Sequence, residues 1–256
     1  MPFQLDEPHQ TAERSRPLSA TSAGRPSAEK VGTALAGGHW ELGLIILTGI
    51  LHVVVELVWG GARGRAVTAG RPEQIYNLIV AGLWGGYVLW RATTAQGVAR
   101  LWGFRWDNFS PALRLSLCFS LLAAVPLVVY GSLMGRLALP ATFWVALSLY
   151  PLYGIAQQFA LQALMTRNLR VLIGPQSLRV LLVATLFSAV HFPNRALMIL
   201  ALIAGLGFTW IYEKHPNLSA IGIAHGLLGA LAYYLVLGLD PGAEIVAAVH
   251  HAIPRW

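Results

Sequence analysis

Residues 40–59 read WELGLIILTGILHVVVELVW, and the only ionisable side chains in that run are Glu41, His52 and Glu56. A helix of about 20 residues rising about 1.5 Å per residue matches the hydrocarbon thickness of a bilayer. The stretch is therefore expected to cross a membrane. The rest of the chain agrees with it. Of 256 residues, 56% are hydrophobic and 11% charged, with a mean hydropathy of +0.59. Soluble domains carry about 25% charged residues. The composition predicts an all-α integral membrane protein, a bundle of about seven (6–8) transmembrane helices.

Working outward, residues 1–38 form a polar tail with balanced charges, expected to be disordered and without the apolar core of a signal peptide. Residues 39–256 read as a single transmembrane domain. After the first span comes a basic loop with Arg63, Arg65 and Arg71, then a span at 75–90 flanked by Tyr76 and Trp90. The connection 91–110 is amphipathic and expected at the interface. Further spans are expected at 112–134, 141–165, 178–191, 196–212 and 219–238. The turn at Glu213–Asn217 reads as hydrophilic and solvated, and the last 18 residues as weakly amphipathic.

The formal charge of +7 resides mostly in arginines of the loops. No cluster of Lys and Arg with interleaved aromatics appears, so nucleic acid is not an expected partner. Of the 18 Lys and Arg, a cytoplasmic N-terminus leaves six outside (Arg63, Arg65, Arg71, Arg136, Arg195 and Arg255) and the other twelve inside. The positive-inside rule thus favours N-in, in what reads as a bacterial cytoplasmic membrane. Cys118 is the lone cysteine and lies in an apolar run, which excludes a disulfide framework.

Polar residues stranded in apolar sequence point to a site. Gln157, Gln158 and Gln162 interrupt one span, His191 ends the next, and His225 lies six residues into the last. Hydrogen-bonding groups are costly in lipid, so they turn to each other or to a wet cavity. On an α-helix Gln157 and Gln158 are about 100° apart, with Gln162 about 40° beyond. All three are therefore expected to project into one sector facing the histidines. The bland alternative is interhelical glue, at about 1 kcal/mol per glutamine. If a divalent metal such as zinc binds, His191 and His225 are its candidate ligands, two where a catalytic zinc normally has three. No cofactor motif is present.

The order Gln157-Gln158-Phe159-Ala160-Leu161-Gln162, Phe187-Ser188-Ala189-Val190-His191, His225-Gly226-Leu227-Leu228-Gly229 resembles the CPBP family of intramembrane proteases. That family includes CAAX prenyl endopeptidases and bacteriocin-processing proteins. Its motifs are Glu-Glu-x-x-x-Arg, Phe-x-x-x-His and His-x-x-x-Asn/Asp. The resemblance covers a core at 140–238, and Leu101-Trp102-Gly103-Phe104 is similar to a short segment that precedes it. It implies an intramembrane endopeptidase acting on membrane-embedded or lipidated peptides, with Gln157, Gln158, Gln162, His191 and His225 at the catalytic positions.

Phe187, His191 and His225 keep the family pattern, whereas Gln157 and Gln158 replace the glutamates, Gln162 the arginine and Gly229 the final Asn/Asp. A glutamine amide cannot serve as general base. Glu56, four residues after His52 on one helix face, is the candidate substitute base. The alternative is an inactive pseudoprotease that binds a membrane peptide or protein. A small transporter is a third class, without an inverted repeat to support it.

Overall fold

In the computed structural model, residues 38–59 and 72–252 are described. The expected polar tail up to residue 37 and the basic loop 60–71 lie outside them. The described residues are helical, and the architecture is an all-α membrane bundle. Its helices are α1 (Gly38–Trp59), α2 (Pro72–Thr94), α3 (Val98–Trp102), α4 (Phe109–Leu133) and α5 (Thr142–Gln158). A π-helical segment, Phe159–Thr166, continues α5 into α6 (Arg167–Leu172). There follow α7 (Gln176–Ala189), α8 (Arg195–Lys214), α9 (Leu218–Ala232) with its own π segment Tyr233–Leu237, and α10 (Pro241–Ala252).

Four of these are long and apolar enough to cross a membrane: His39–Trp59, Phe109–Leu133, Arg195–Lys214 and Leu218–Leu237. The other three expected spans are helices as well. The 14 residues of α7 reach only about 21 Å at about 1.5 Å per residue, short of a full crossing.

The most extensive packing is between α5 and α9, and small residues make it close. A Cβ on Gly226 would lie 2.6 Å from the Pro151 Cα, and one on Gly154 2.7 Å from the Gly226 nitrogen. Gly222 and Gly226 are four apart, the spacing that lets membrane helices touch backbone to backbone. Beside this seam a core of Phe208, Ile211, Tyr212, Ile221 and Ala224 joins α8 to α9. Asn194 and Asn217 start α8 and α9 as N-caps, accepting from the Leu197 and Ala220 amides at 3.1 and 3.0 Å.

The connection 91–110 does more than lie along an interface. Trp102 is buried against Phe159, with ring centroids 5.0 Å apart. Its carbonyl accepts from the Tyr212 hydroxyl at 3.0 Å, and that of Gly103 from the Leu218 amide at 2.9 Å. Gly103 has φ +100°, and a Cβ there would sit 3.1 Å from that same amide nitrogen. The exposed end of the loop is braced by Arg105, whose hydrogen bonds to Asp107 hold that carboxyl well below the usual range, at about 2.

Two charged clusters lie where the sequence reading did not expect them. Glu213 is not solvated. Its side chain, 5% exposed, ends α8 and accepts twice from Arg179 at 3.0 Å, with Arg170 at 3.3 Å. Glu41, fully buried, accepts from Arg167 at 2.5 Å, from Asn168 at 2.9 Å and from the Tyr87 hydroxyl. This second cluster fastens α1 and α2 to the core at one end. Removing one partner of a buried ion pair strands the other charge, at a cost of about 3–5 kcal/mol. Glu41→Ala is expected to lose stability on that scale in thermal unfolding in detergent; a change below about 1 kcal/mol would show that the pair does not hold the helices.

Candidate functional site

Gln157 comes from the last turn of α5, His191 from the turn after α7, and His225 from the middle of α9. The glycine seam sets the first contact: the Gln157 Oε1 lies 3.0 Å from the His225 Nε2. An amide head can meet either tautomer of that imidazole, accepting through its oxygen or donating through its nitrogen, whereas a carboxylate can only accept.

His191 is settled more firmly. Its Nδ1 lies 2.7 Å from the Phe187 carbonyl, which can only accept, so Nδ1 carries the proton and Nε2 keeps its lone pair. The Phe187 ring meets His191 edge-on at 4.9 Å and His225 at 5.7 Å, so one phenyl spans the two imidazoles. Phe208 closes the other side of His225 at 5.3 Å.

Gln157, His191 and His225 line a pocket of about 320 Å³, together with Tyr150, Tyr153 and Gly229. Gln157, His191 and Tyr153 also line a wider vestibule of about 1330 Å³ that reaches α1, α2 and α10. Glu56 and His52 line the vestibule with His191. The pocket that holds His225 does not include Glu56 among its lining residues.

Gln158 and Gln162 do not join Gln157, and the expectation of one sector is corrected here. Both are fully buried. The Gln162 amide nitrogen donates to Gln158 and to the Thr209 hydroxyl, each at 3.0 Å, while Thr166 donates to the Gln162 oxygen at 2.9 Å. The three form an i, i+4, i+8 row on the face of the helix turned to α8. Gln162 and Thr166 lie in the π segment Phe159–Thr166, and Gln158 immediately precedes it. The 158–162–166 spacing was visible in the sequence; Thr209 as its partner was not.

Glu244 on α10 also lines the vestibule, a carboxylate that the sequence reading overlooked in a stretch read only as weakly amphipathic. Among the described residues no three His, Cys, Asp or Glu side chains gather in a way that could hold a metal ion. The His191 Nδ1 and the His225 Nε2 are each engaged by protein groups.

Residues 139–231 match the family model of the type II CAAX prenyl endopeptidases, described as Rce1-like. The match is consistent with similarity to the CPBP family over that stretch. The matched stretch contains Gln157, Gln158, Gln162, Phe187, His191 and His225. No curated protein and no solved structure matches the chain. Within the matched stretch Gln157 faces the cavity and Gln158 faces inward. A cysteine at 157, in a Cys118→Ser background, should react with a small thiol reagent admitted by the vestibule, and one at 158 should stay protected. Equal labelling of the two would contradict the split.

Proposed function

We propose that this chain is a CPBP-like intramembrane endopeptidase homologue that admits a membrane-associated or lipidated peptide through the vestibule. The Rce1-like match supports a CAAX-protease-like function. The observation that carries the finer reading is the convergence of Gln157, Phe187, His191 and His225 on one pocket within the matched stretch.

Attack on a peptide carbonyl needs a group that takes a proton from water. Neither glutamine can do so. In this reading the His191 Nε2 and the Glu56 carboxylate, which share the vestibule, take that role, while Gln157 holds His225 in place to meet the substrate. Gln158 and Gln162 support the helix and touch no substrate.

A second reading, binding without cleavage, is favoured by one observation: an amide and not a carboxylate stands against His225. Purified protein incubated with a membrane-peptide library separates the two. If cleavage occurs, His191→Ala and His225→Ala should abolish it, and Glu56→Gln should lower the rate by about 10²–10⁴, the usual worth of a general base. Cleavage untouched by both histidine changes would eliminate the site. No cleavage until Gln157→Glu, Gln158→Glu and Gln162→Arg are combined would establish a pseudoprotease.

Its apolar helices make this a membrane protein. We place it in a bacterial cytoplasmic membrane with the N-terminus inside, on the distribution of Lys and Arg. Labelling of a cysteine at residue 30 from the outer face alone would reverse that orientation.

A further inference from the structure

Helices α4 and α8 meet at Phe119 and Gly207. A Cβ on Gly207 would fall 2.2 Å from the Phe119 ring, which packs on Phe208 with centroids 5.0 Å apart. From that contact towards Leu133 on α4 and Arg195 on α8, the two helices frame the inner pocket instead. Its lining there includes Ala123, Pro126 and Tyr130 of α4, with Leu200 and Ile203 of α8. Pro126, Tyr130 (40%) and Ile203 (49%) are exposed, and none of the three lines the vestibule. They lie inside Phe109–Leu133 and Arg195–Lys214, helices long and apolar enough to cross a membrane. Ile203 follows the start of α8 by about 12 Å along the axis. The inner pocket therefore has a second mouth, between α4 and α8, that opens at hydrocarbon depth.

The surroundings of that mouth decide what enters. Behind it the wall is apolar, with Leu127, Ala204, Leu228 and Ala232 as buried pocket residues. The molecules at the mouth are lipid chains. A chain end that enters exchanges one apolar surrounding for another and gains contact with a close wall. A charge stands at the membrane end of the same path. Arg195, exposed, begins α8, and Ile199 (61% exposed) and Ile203 follow it at steps of four residues, on one stripe of the helix. Among the described residues no ion pair includes Arg195. Arg136, beyond Tyr130 at the same end of α4, is a second cation and donates to the Val236 carbonyl at 2.6 Å. A cation at the surface, an apolar stripe below it and an apolar pocket behind follow the order of phosphate, glycerol and acyl chain in a phospholipid.

We propose that the α4–α8 mouth is a lipid site. A bilayer phospholipid sets its phosphate against Arg195 and threads one acyl chain past Pro126 and Ile203 into the inner pocket. The vestibule approaches the same centre from α1, α2 and α10, and Gln157 and His191 line both cavities. The chain end thus reaches the candidate site from the side away from the vestibule. This lipid site stands apart from the peptide reading and holds whether or not the protein cleaves.

The test is photolabelling of the full chain in phosphatidylcholine nanodiscs containing a phosphatidylcholine with a diazirine near the end of one acyl chain. Mass spectrometry maps the labelled residues. Ile199, facing the bilayer, should be labelled in every case. Leu228 and Ala232, buried on α9, should be labelled well above Ile221, which is also buried on α9 and lines neither cavity. Ala123→Trp and, separately, Ile203→Trp narrow the mouth from its two sides. Each should bring Leu228 and Ala232 down to the level of Ile221 and leave Ile199 labelled. Arg195→Gln should lower the pocket labelling by about two- to fivefold, the worth of a partly exposed ion pair, and Arg195→Lys should keep it. Leu228 and Ala232 labelled no more than Ile221 in the unaltered protein would overturn the site. Pocket labelling that survives both tryptophan changes would overturn it too, because the chain would then enter by the vestibule. Labelling indifferent to Arg195→Gln would overturn the phosphate contact.

Discussion

The approach of α5 and α9 is the constraint on which the site depends. In a bilayer no hydrophobic drive pulls helices together, and their association rests on van der Waals contact and interhelical hydrogen bonds. Gly154, Gly222 and Gly226 remove the side chains that would hold these two backbones apart. His225 adjoins Gly226, and Gln157 follows Gly154 by less than one helical turn. The backbone contact therefore sets the 3.0 Å meeting of amide and imidazole directly. A wider helix separation would part the amide from the imidazole.

Around that contact the protein relies on neutral hydrogen bonding. The family pattern implies two carboxylates and an arginine on the fourth expected span; here three amides stand in their places. Gln158 and Gln162 with Thr166 and Thr209 form a buried neutral row, which avoids the desolvation cost that ions would meet at this depth. The ions of this region lie one turn further on, where Arg167 meets Glu41. That pair binds α1 to the end of the π segment, while the other half of α1, with His52 and Glu56, borders the vestibule. The same helix is thus tethered at one end and forms the cavity wall at the other.

The polar groups consequently sort by depth and by partner. Inward-facing Gln158, Gln162, Thr166 and Thr209 bond to one another, Arg167 pairs with Glu41 and Arg179 with Glu213, and the cavities are lined by His52, His191, His225, Gln157, Glu56, Glu244 and a set of tyrosines. Such a lining combines imidazoles and carboxylates with apolar walls, which is what the proposed peptide site requires.

Much of this was present in the sequence. Apolar runs of bilayer length point to helices because lipid leaves the backbone little choice, and the order of Gln157-Gln158, Phe187 to His191, and His225 carries the resemblance to the CPBP family, over the stretch that matches the Rce1-like model. The pairings were decided by tertiary structure. An α-helical wheel put all three glutamines in one sector, but the separation of about 100° between Gln157 and Gln158 turns Gln158 inward, where it meets Gln162, itself held by Thr166 and by Thr209 on α8. Glu41 read as an acid near the start of a span until Arg167, 126 positions on, supplied its partner, and Glu244 drew no reading of its own until α10 brought it to the vestibule. Hydropathy is a local property that a single segment expresses by itself. Which polar side chains meet depends on helix rotation and separation, and those are set by small residues and buried partners far apart in the chain.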